Sequence, residues 1–341
     1  MAHHSTILRQ IVAFLPRHEF DALAKKHHHG QKFRCFNRWS QFMAMFNGQL
    51  SGRASLRDLV MNLAAQSSKL YHLGIKPCSR ATLARANEQQ PVSLYKAIFH
   101  KLIQQCQQFA PKHRFKFKGK LYLLDATVID LCISVFPWAK FRRTKGAIKL
   151  HVGLGGDGYL PEFLDLTLGK SHEGKWAKTL KLSPGSMAVF DMGFTDYEWF
   201  QTLMKNKIFF VTRLKSNARI QGLHKWPGQK AKGIPADQAI LLDKMSQPLR
   251  MVCYQDPDTG KELSFVTNAS HLDAKTIAEL YKERWQIELF FKGIKGNLKI
   301  KTFLGTSRNA VLTQIWIALS VYLLLAFLKF KANSPLNNPQ F

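Results

Sequence analysis

The chain has 341 residues, 46% of them hydrophobic and 12% aromatic, which is enough apolar material for one large domain or two to three ordinary ones and excludes a disordered chain. Lys and Arg number 50 against 22 Asp and Glu, a net charge of +28 that points to a polyanionic partner, nucleic acid before an anionic membrane surface. The five cysteines (Cys35, Cys78, Cys106, Cys132, Cys253) are scattered, odd in number and free of any C-x-x-C pair, which argues against a disulfide framework or thiolate zinc site and suits a reducing compartment.

The first residues lack the basic, apolar and small order of an export signal, so a cytoplasmic protein is expected. Residues 1–119 carry 19 Lys and Arg but only four acids, Glu19, Asp21, Asp58 and Glu88. Their apolar positions recur at helical spacing, as in Leu56, Leu59, Val60 and Leu63. Ser55 precedes that stretch as an N-cap, Ser79 opens the next helix, and 75–78 between them reads as a turn. The reading is an all-α domain over 1–110 that docks DNA, followed by a basic linker at 111–119.

From residue 120 the texture changes. Residues 120–131 form a nearly continuous apolar run with β-branched members, as a buried central strand would. Strands are expected at 148–154 and 163–168, a helix at 173–182, a strand at 187–190, a helix near 196–205 and a strand at 207–214. The order is β-β-β-α-β-α-β. Residues 216–268 are broken by Pro and Gly, with short β-type runs at 239–242, 249–254 and 263–267, and read as a mostly β insertion. Long helical patterns occupy 273–298 and 308–330.

Gly153-Leu154-Gly155-Gly156-Asp157-Gly158 satisfies G-x-G-x-x-G, but strand-like residues follow it where a dinucleotide fingerprint needs a helix N-terminus. It reads as a glycine-rich hairpin. The His27-His28-His29 run lacks the spacing of a ligand set. Residues 309–328 are uncharged and long enough to span a bilayer. Thr313, Gln314 and Ser320 interrupt them, so the expectation is a core helix packed beneath the preceding one, against Ile287, Phe291, Ile294 and Leu298, and no membrane partner.

Three acids stand at structural landmarks. Asp125 lies inside the first apolar strand, Asp191 ends the strand 187–190, and Glu288 lies on the helix 273–298. A carboxylate in an apolar strand costs several kcal/mol unless it is paired or bound to metal. Taken as one continuous helix, 273–298 puts Tyr281, Arg284, Glu288, Lys292 and Lys295 on one narrow arc, and Leu280, Ile287, Phe290, Phe291, Ile294 and Leu298 on another. One face buries while the other shows a carboxylate among cations.

Residues 281–295 read Y-(2)-R-(3)-E-(6)-K, through Tyr281, Arg284, Glu288 and Lys295, and this spacing resembles the signature of the insertion-sequence DDE transposases of family four. Trp285 after the Arg is also common there. Asp125-Ala126-Thr127 is similar to that family's first-aspartate strand, Asp191-Met192-Gly193-Phe194 to its D-x-G-F/Y segment, and 145–151 to its second strand. The resemblance runs over about 120–330. It implies an α/β fold: an RNase H-like mixed sheet with helices, interrupted before the glutamate helix by the mostly β insertion in the 96 residues between Asp191 and Glu288, and preceded by the all-α domain. The core would comprise 120–215 and 269–330, the insertion 216–268 and a tail 331–341.

The same resemblance implies catalytic and metal-binding roles for Asp125, Asp191 and Glu288. The cofactor would be Mg2+, with Mn2+ as substitute, as two ions; hard oxygen donors suit such cations. Tyr281, Arg284, Lys292, Lys295 and Arg213 would contact DNA, and Trp226 could stack on a flipped base. The expected activity is cleavage of transposon ends and joining of their 3′-OH to target DNA by a homodimer, with or without a hairpin intermediate. An RNase H-like nuclease without strand transfer and an inactive end-binding repressor are the alternatives.

Overall fold

The computed structural model describes residues 7–30, 32–33, 36–225, 233–257, 259–297 and 303–332. In chain order its helices and strands are α1 (Ile7–Val12), α2 (Arg17–Lys26), α3 (Arg38–Leu50), α4 (Leu56–Ala65), α5 (Arg80–Gln89), α6 (Ser93–Gln107), β1 (Leu121–Leu131), β2 (Gly146–Gly155), β3 (Pro161–Leu168), α7 (Glu173–Ala177), β4 (Met187–Phe190), α8 (Tyr197–Lys205) and β5 (Phe209–Arg213). There follow β6 (Ile220–Lys225), β7 (Ala236–Leu242), β8 (Leu249–Gln255), β9 (Glu262–Thr267), α9 (Ala274–Glu283), α10 (Trp285–Asn297) and α11 (Arg308–Ala332). The chain divides into two compact units, one of Met1–Pro111, Ile129–Ile148 and Phe290–Phe341, the other of Lys112–Val128 and Lys149–Leu289.

The first unit is mainly helical. Side chains that accept from free N–H groups start its helices: Asn37 from Ser40 N, Ser55 from Asp58 N, and Ser79 from Thr82 N. At its centre lies α11, apolar on every side, with a mean hydropathy of 2.2 over its most apolar 18 residues and 72% of that stretch buried by protein. The expectation that it packs beneath the glutamate helix holds in part, since Phe290 of α10 meets Tyr322 edge-on at 5.0 Å. Its neighbours are chiefly α6, α3 and α5, because a helix without a polar face needs partners all round. Phe99 meets Trp316 edge-on at 5.2 Å, and Asn309 donates to the carbonyls of Asn87 and Gln90 at 2.9 and 2.7 Å. Two of the three polar breaks are absorbed locally: Gln314 accepts from Leu304 N and Ser320 donates to Trp316 O, while the buried Thr313 Oγ1 finds no hydrogen-bond partner among the described residues.

The second unit is built on a mixed sheet of order β3-β2-β1-β4-β5-β9-β8-β7-β6. Strands β1, β4 and β5 run parallel, with Leu123 opposite Val189 and Val189 opposite Val211. The inserted strands continue this sheet: β9 joins β5 antiparallel, with Arg213 opposite Phe265, and β8, β7 and β6 follow antiparallel. Phe190, Phe210, Trp199 and Phe200 fill the core between the sheet and α8. In the insertion, Arg250 is clasped by Asp237 through two bonds of 2.9 and 2.7 Å and also donates to Leu272 O.

Gly153 to Gly158 make the expected hairpin between β2 and β3, with Gly158 at φ +63°, a region that glycine reaches without strain. Three local differences from the sequence reading have physical reasons. Helix α7 stops at Ala177, where Thr179 Oγ1 donates back to Trp176 O and Pro184 lies ahead. The strand β6 was not anticipated, since Gly222 interrupts its pattern and a bulge lies at 220–222. The helix expected across 273–298 is two helices broken at Arg284, where Arg284 N bonds to Tyr281 O and Ile287 N to Arg284 O, three residues back instead of four.

Candidate active site

The second unit brings together groups that are far apart in sequence. Asp125 sits in the middle of β1, with only 16% of its side chain exposed. Asp191 ends β4 and caps the short 3-10 turn Met192–Phe194, accepting from Gly193 N at 2.9 Å. Glu288 lies in the first turn of α10. Arg284, at the break between α9 and α10, pairs with Glu288 four residues on and also reaches Asp125 on β1. One terminal nitrogen donates to Asp125 Oδ2 at 2.9 Å and the other to Glu288 Oε1 at 2.5 Å. Two of the three expected carboxylates therefore converge on a single cation.

Burial lifts the Asp125 carboxyl to about 6; the Ala126 N–H and Arg284 oppose this, while the charges of Asp191 and Glu173 reinforce it. Burial also raises the Tyr281 phenol, against the pull of Arg284 and Arg213. The Arg284 guanidinium lies 5.7 Å from the Tyr281 ring centre, and Tyr281 in turn packs on Phe265 at 4.8 Å. Tyr281 and Arg284 thus line the same corner as Asp125, and Arg213, at the end of β5, adds its charge there. Lys292 and Lys295 follow one and two turns after Glu288 along α10, exposed and half-buried respectively. The expected base-stacking residue Trp226 lies outside the described residues. Trp285, next to Arg284, is 58% exposed.

The sequence reading missed Glu173. It opens α7, its Oε1 accepts from Lys149 Nζ at 3.2 Å, and it approaches Gly193 next to Asp191. An acid in the first turn of a short helix has an ordinary explanation in the helix dipole, so nothing in the local pattern singled it out.

Among the described residues, no three His, Cys, Asp or Glu side chains are grouped closely enough to enclose a metal ion. The Arg284 guanidinium sits between two of the three expected carboxylates, and it acts as a stand-in cation. The desolvated Asp125, the shared cation and the all-oxygen donor set fit a hard divalent ion. Arg284 would have to release at least one carboxylate to admit it.

Residues 116–324 match the family described as Transposase DDE domain. The chain belongs to that family. Residues 3–76 of this transposase match a domain of unknown function, DUF4372. It is similar to y4zB of Sinorhizobium fredii, named as a transposase, at 33% identity over 71% of this chain and 69% of the relative. Another relative, from Geobacillus stearothermophilus and named as a transposase for insertion sequence element IS5377, is 26% identical over 73% of this chain and 67% of its own. A third, from Synechocystis and named for element IS4SA, is 24% identical over 73% and 71%. The family-four resemblance therefore holds. The transposase is a metal-dependent polynucleotidyl transferase of the insertion-sequence kind; such domains generally use Mg2+ and act on DNA.

Proposed function

We propose that this transposase recognises the terminal inverted repeats of its insertion sequence, cleaves them and joins the 3′-OH ends to target DNA in a cut-and-paste reaction. The observation that carries the reading is the joint hold of Asp125 and Glu288 on the Arg284 guanidinium, with Asp191 acting on the same corner. The strand order β3-β2-β1-β4-β5, with acids on β1 and just after β4, supports an RNase H-like core extended by the inserted strands. Residues 1–110 would dock the ends and 111–119 would link them to the core. Asp125, Asp191 and Glu288 would hold two Mg2+ ions, which Mn2+ could replace.

Bound divalent metal would supply an activated oxygen nucleophile and stabilise the leaving oxygen. The chain's own groups prepare the rest. Asp125, kept from water inside β1, gains most from an added positive charge. Arg284, released from Asp125, can reach a phosphate with two parallel N–H donors, a geometry that lysine lacks. Arg213 and Tyr281 border the place the phosphate would take, and Lys292 and Lys295 would follow the strand along α10. The working species would be a homodimer on DNA, cytoplasmic and associated with the nucleoid.

The test is cleavage of end DNA and strand transfer of pre-cut ends, with Mg2+ and with EDTA. Asp125→Asn, Asp191→Asn and Glu288→Gln should each lose both activities by about a hundredfold or more while end binding persists. An Asp191→Asn protein that cuts at the wild-type rate would remove Asp191 from the site. Cleavage without transfer in the wild type would make the protein a nuclease.

A further inference from the structure

Gly193 marks a place where two carboxylates meet. A Cβ built on Gly193 would lie 2.6 Å from Glu173 Oε2 and 3.0 Å from Asp191 Oδ1. The two oxygens thus flank one point, and only a residue without a side chain leaves both of them there. Glu173 is fixed from behind: Lys149, itself largely buried, holds Oε1 at 3.2 Å. Oε2 is left to face Asp191. Asp196 and Asp157 are each held by a lysine and backbone N–H groups; at Glu173 the lysine occupies one oxygen and the other is turned toward a second acid.

The bond to Lys149 accounts for Oε1 alone; Oε2 is set on the Asp191 side, where a cation held by Asp191 would meet a second negative oxygen. We infer that Glu173 is a fourth carboxylate of the metal site, a positioning residue that holds the hydrated divalent cation on the Asp191 side with Oε2, while Lys149 fixes its direction. The inference rests on the proposed Asp125–Asp191–Glu288 site and adds to it a residue from α7. Outer-sphere partners of this kind typically govern metal affinity by about ten- to a hundredfold.

The experiment measures Mn2+ binding to the full chain by the electron-paramagnetic-resonance signal of free Mn2+, with no DNA present. Glu173→Gln keeps the size of the side chain and an oxygen for Lys149 while removing the charge. Binding should weaken by about tenfold, with Asp191→Asn as a control that also weakens it. If Glu173→Gln binds Mn2+ like the wild type while Asp191→Asn does not, Glu173 is merely the partner of Lys149 and the inference falls. If Asp125→Asn, Asp191→Asn and Glu288→Gln all bind as the wild type does, the proposed site itself falls, and this inference with it. Should Glu173→Gln lower the melting temperature in EDTA, Glu173→Asp carries the test instead, since it keeps the charge but draws the carboxylate back from the Asp191 side. Weakened Mn2+ binding by that variant supports the inference, and wild-type binding overturns it.

Discussion

Arg284 reaches Asp125 from a break between two helices, and the 2.9 Å bond joins residues 159 positions apart. The same guanidinium holds Glu288. A guanidinium between two carboxylates keeps like charges tolerable in the absence of metal, and it is also the group that metal must move aside.

Replacing Arg284 with Gln should therefore separate two properties. In EDTA the variant should be less stable by about 2 kcal/mol, because the half-buried carboxylates lose their counter-charge. Mn2+ should raise its melting temperature more than it raises that of the wild type, since no internal cation competes. DNA cleavage should still fall, because the phosphate loses its bidentate donor. Equal Mn2+-induced shifts in the two proteins would show that Arg284 and the metal do not share the carboxylates.

His151 should give the protein an acid limit. It is fully buried on β2, its Nε2 lies 2.9 Å from Thr167 Oγ1, and its ring stacks on Trp176. Burial first, and Lys149 second, lower its pKa from 6.5 to about 4, with Asp165 opposing them. A histidine depressed in the folded state takes up its proton more readily in the unfolded chain. Its contribution is thus intact above pH 6.5 and is lost as the pH falls toward 4, on the order of 3 kcal/mol in all. The melting temperature of His151→Gln should fall less steeply than that of the wild type between pH 6 and pH 4. Parallel curves would mean that His151 is protonated in the fold.

Asp237 should matter to the inserted strands without touching the chemistry. Arg250 is almost wholly buried beneath it, and removing one partner of a buried pair strands the other charge. Asp237→Ala should destabilise the protein by about 3–5 kcal/mol, with Mn2+ binding at low temperature unchanged. Loss of metal binding in a variant that remains folded would tie the insertion to the carboxylate site.

Removing residues 1–110 should yield aggregates instead of a soluble catalytic core, because it strips α6, α3 and α5 from an apolar α11. Leu319→Lys, at a fully buried position, should do the same in the full chain through an unpaired buried charge. In the intact protein, DNA binding should weaken steeply with added salt as counterions are released. A soluble truncated protein that selects end DNA would place recognition elsewhere.

Features with a local cause were legible in the sequence. Ser55 and Ser79 cap helices where their positions before apolar runs suggested, and the apolar run at 120–131 became β1. The Tyr281–Lys295 spacing singled out Tyr281, Arg284 and Glu288, and Arg284 joins Glu288 to Asp125 beside the Tyr281 ring. What escaped was non-local. Arginine is a good helix former, so the break at Arg284 was not readable from propensity, and its bond to a carboxylate 159 residues away was not local. Glu173 acquires its meaning only when Gly193 folds against it. The partners of α11 could not be read from α11, since an apolar cylinder has no face to indicate a direction.

The enclosure of α11 also has a temporal side. The ribosome releases α6 roughly two hundred residues before α11, which at about 5–20 residues per second is a delay on the order of 10–40 s. Through that interval the inner faces of α3, α5 and α6 lack the helix that closes them. A message cut short anywhere before residue 308 would yield a chain whose basic N-terminal helices never close around their centre. Such a product would be a substrate for proteolysis, and it would not persist as a fragment competing with the full-length protein for the ends of the element.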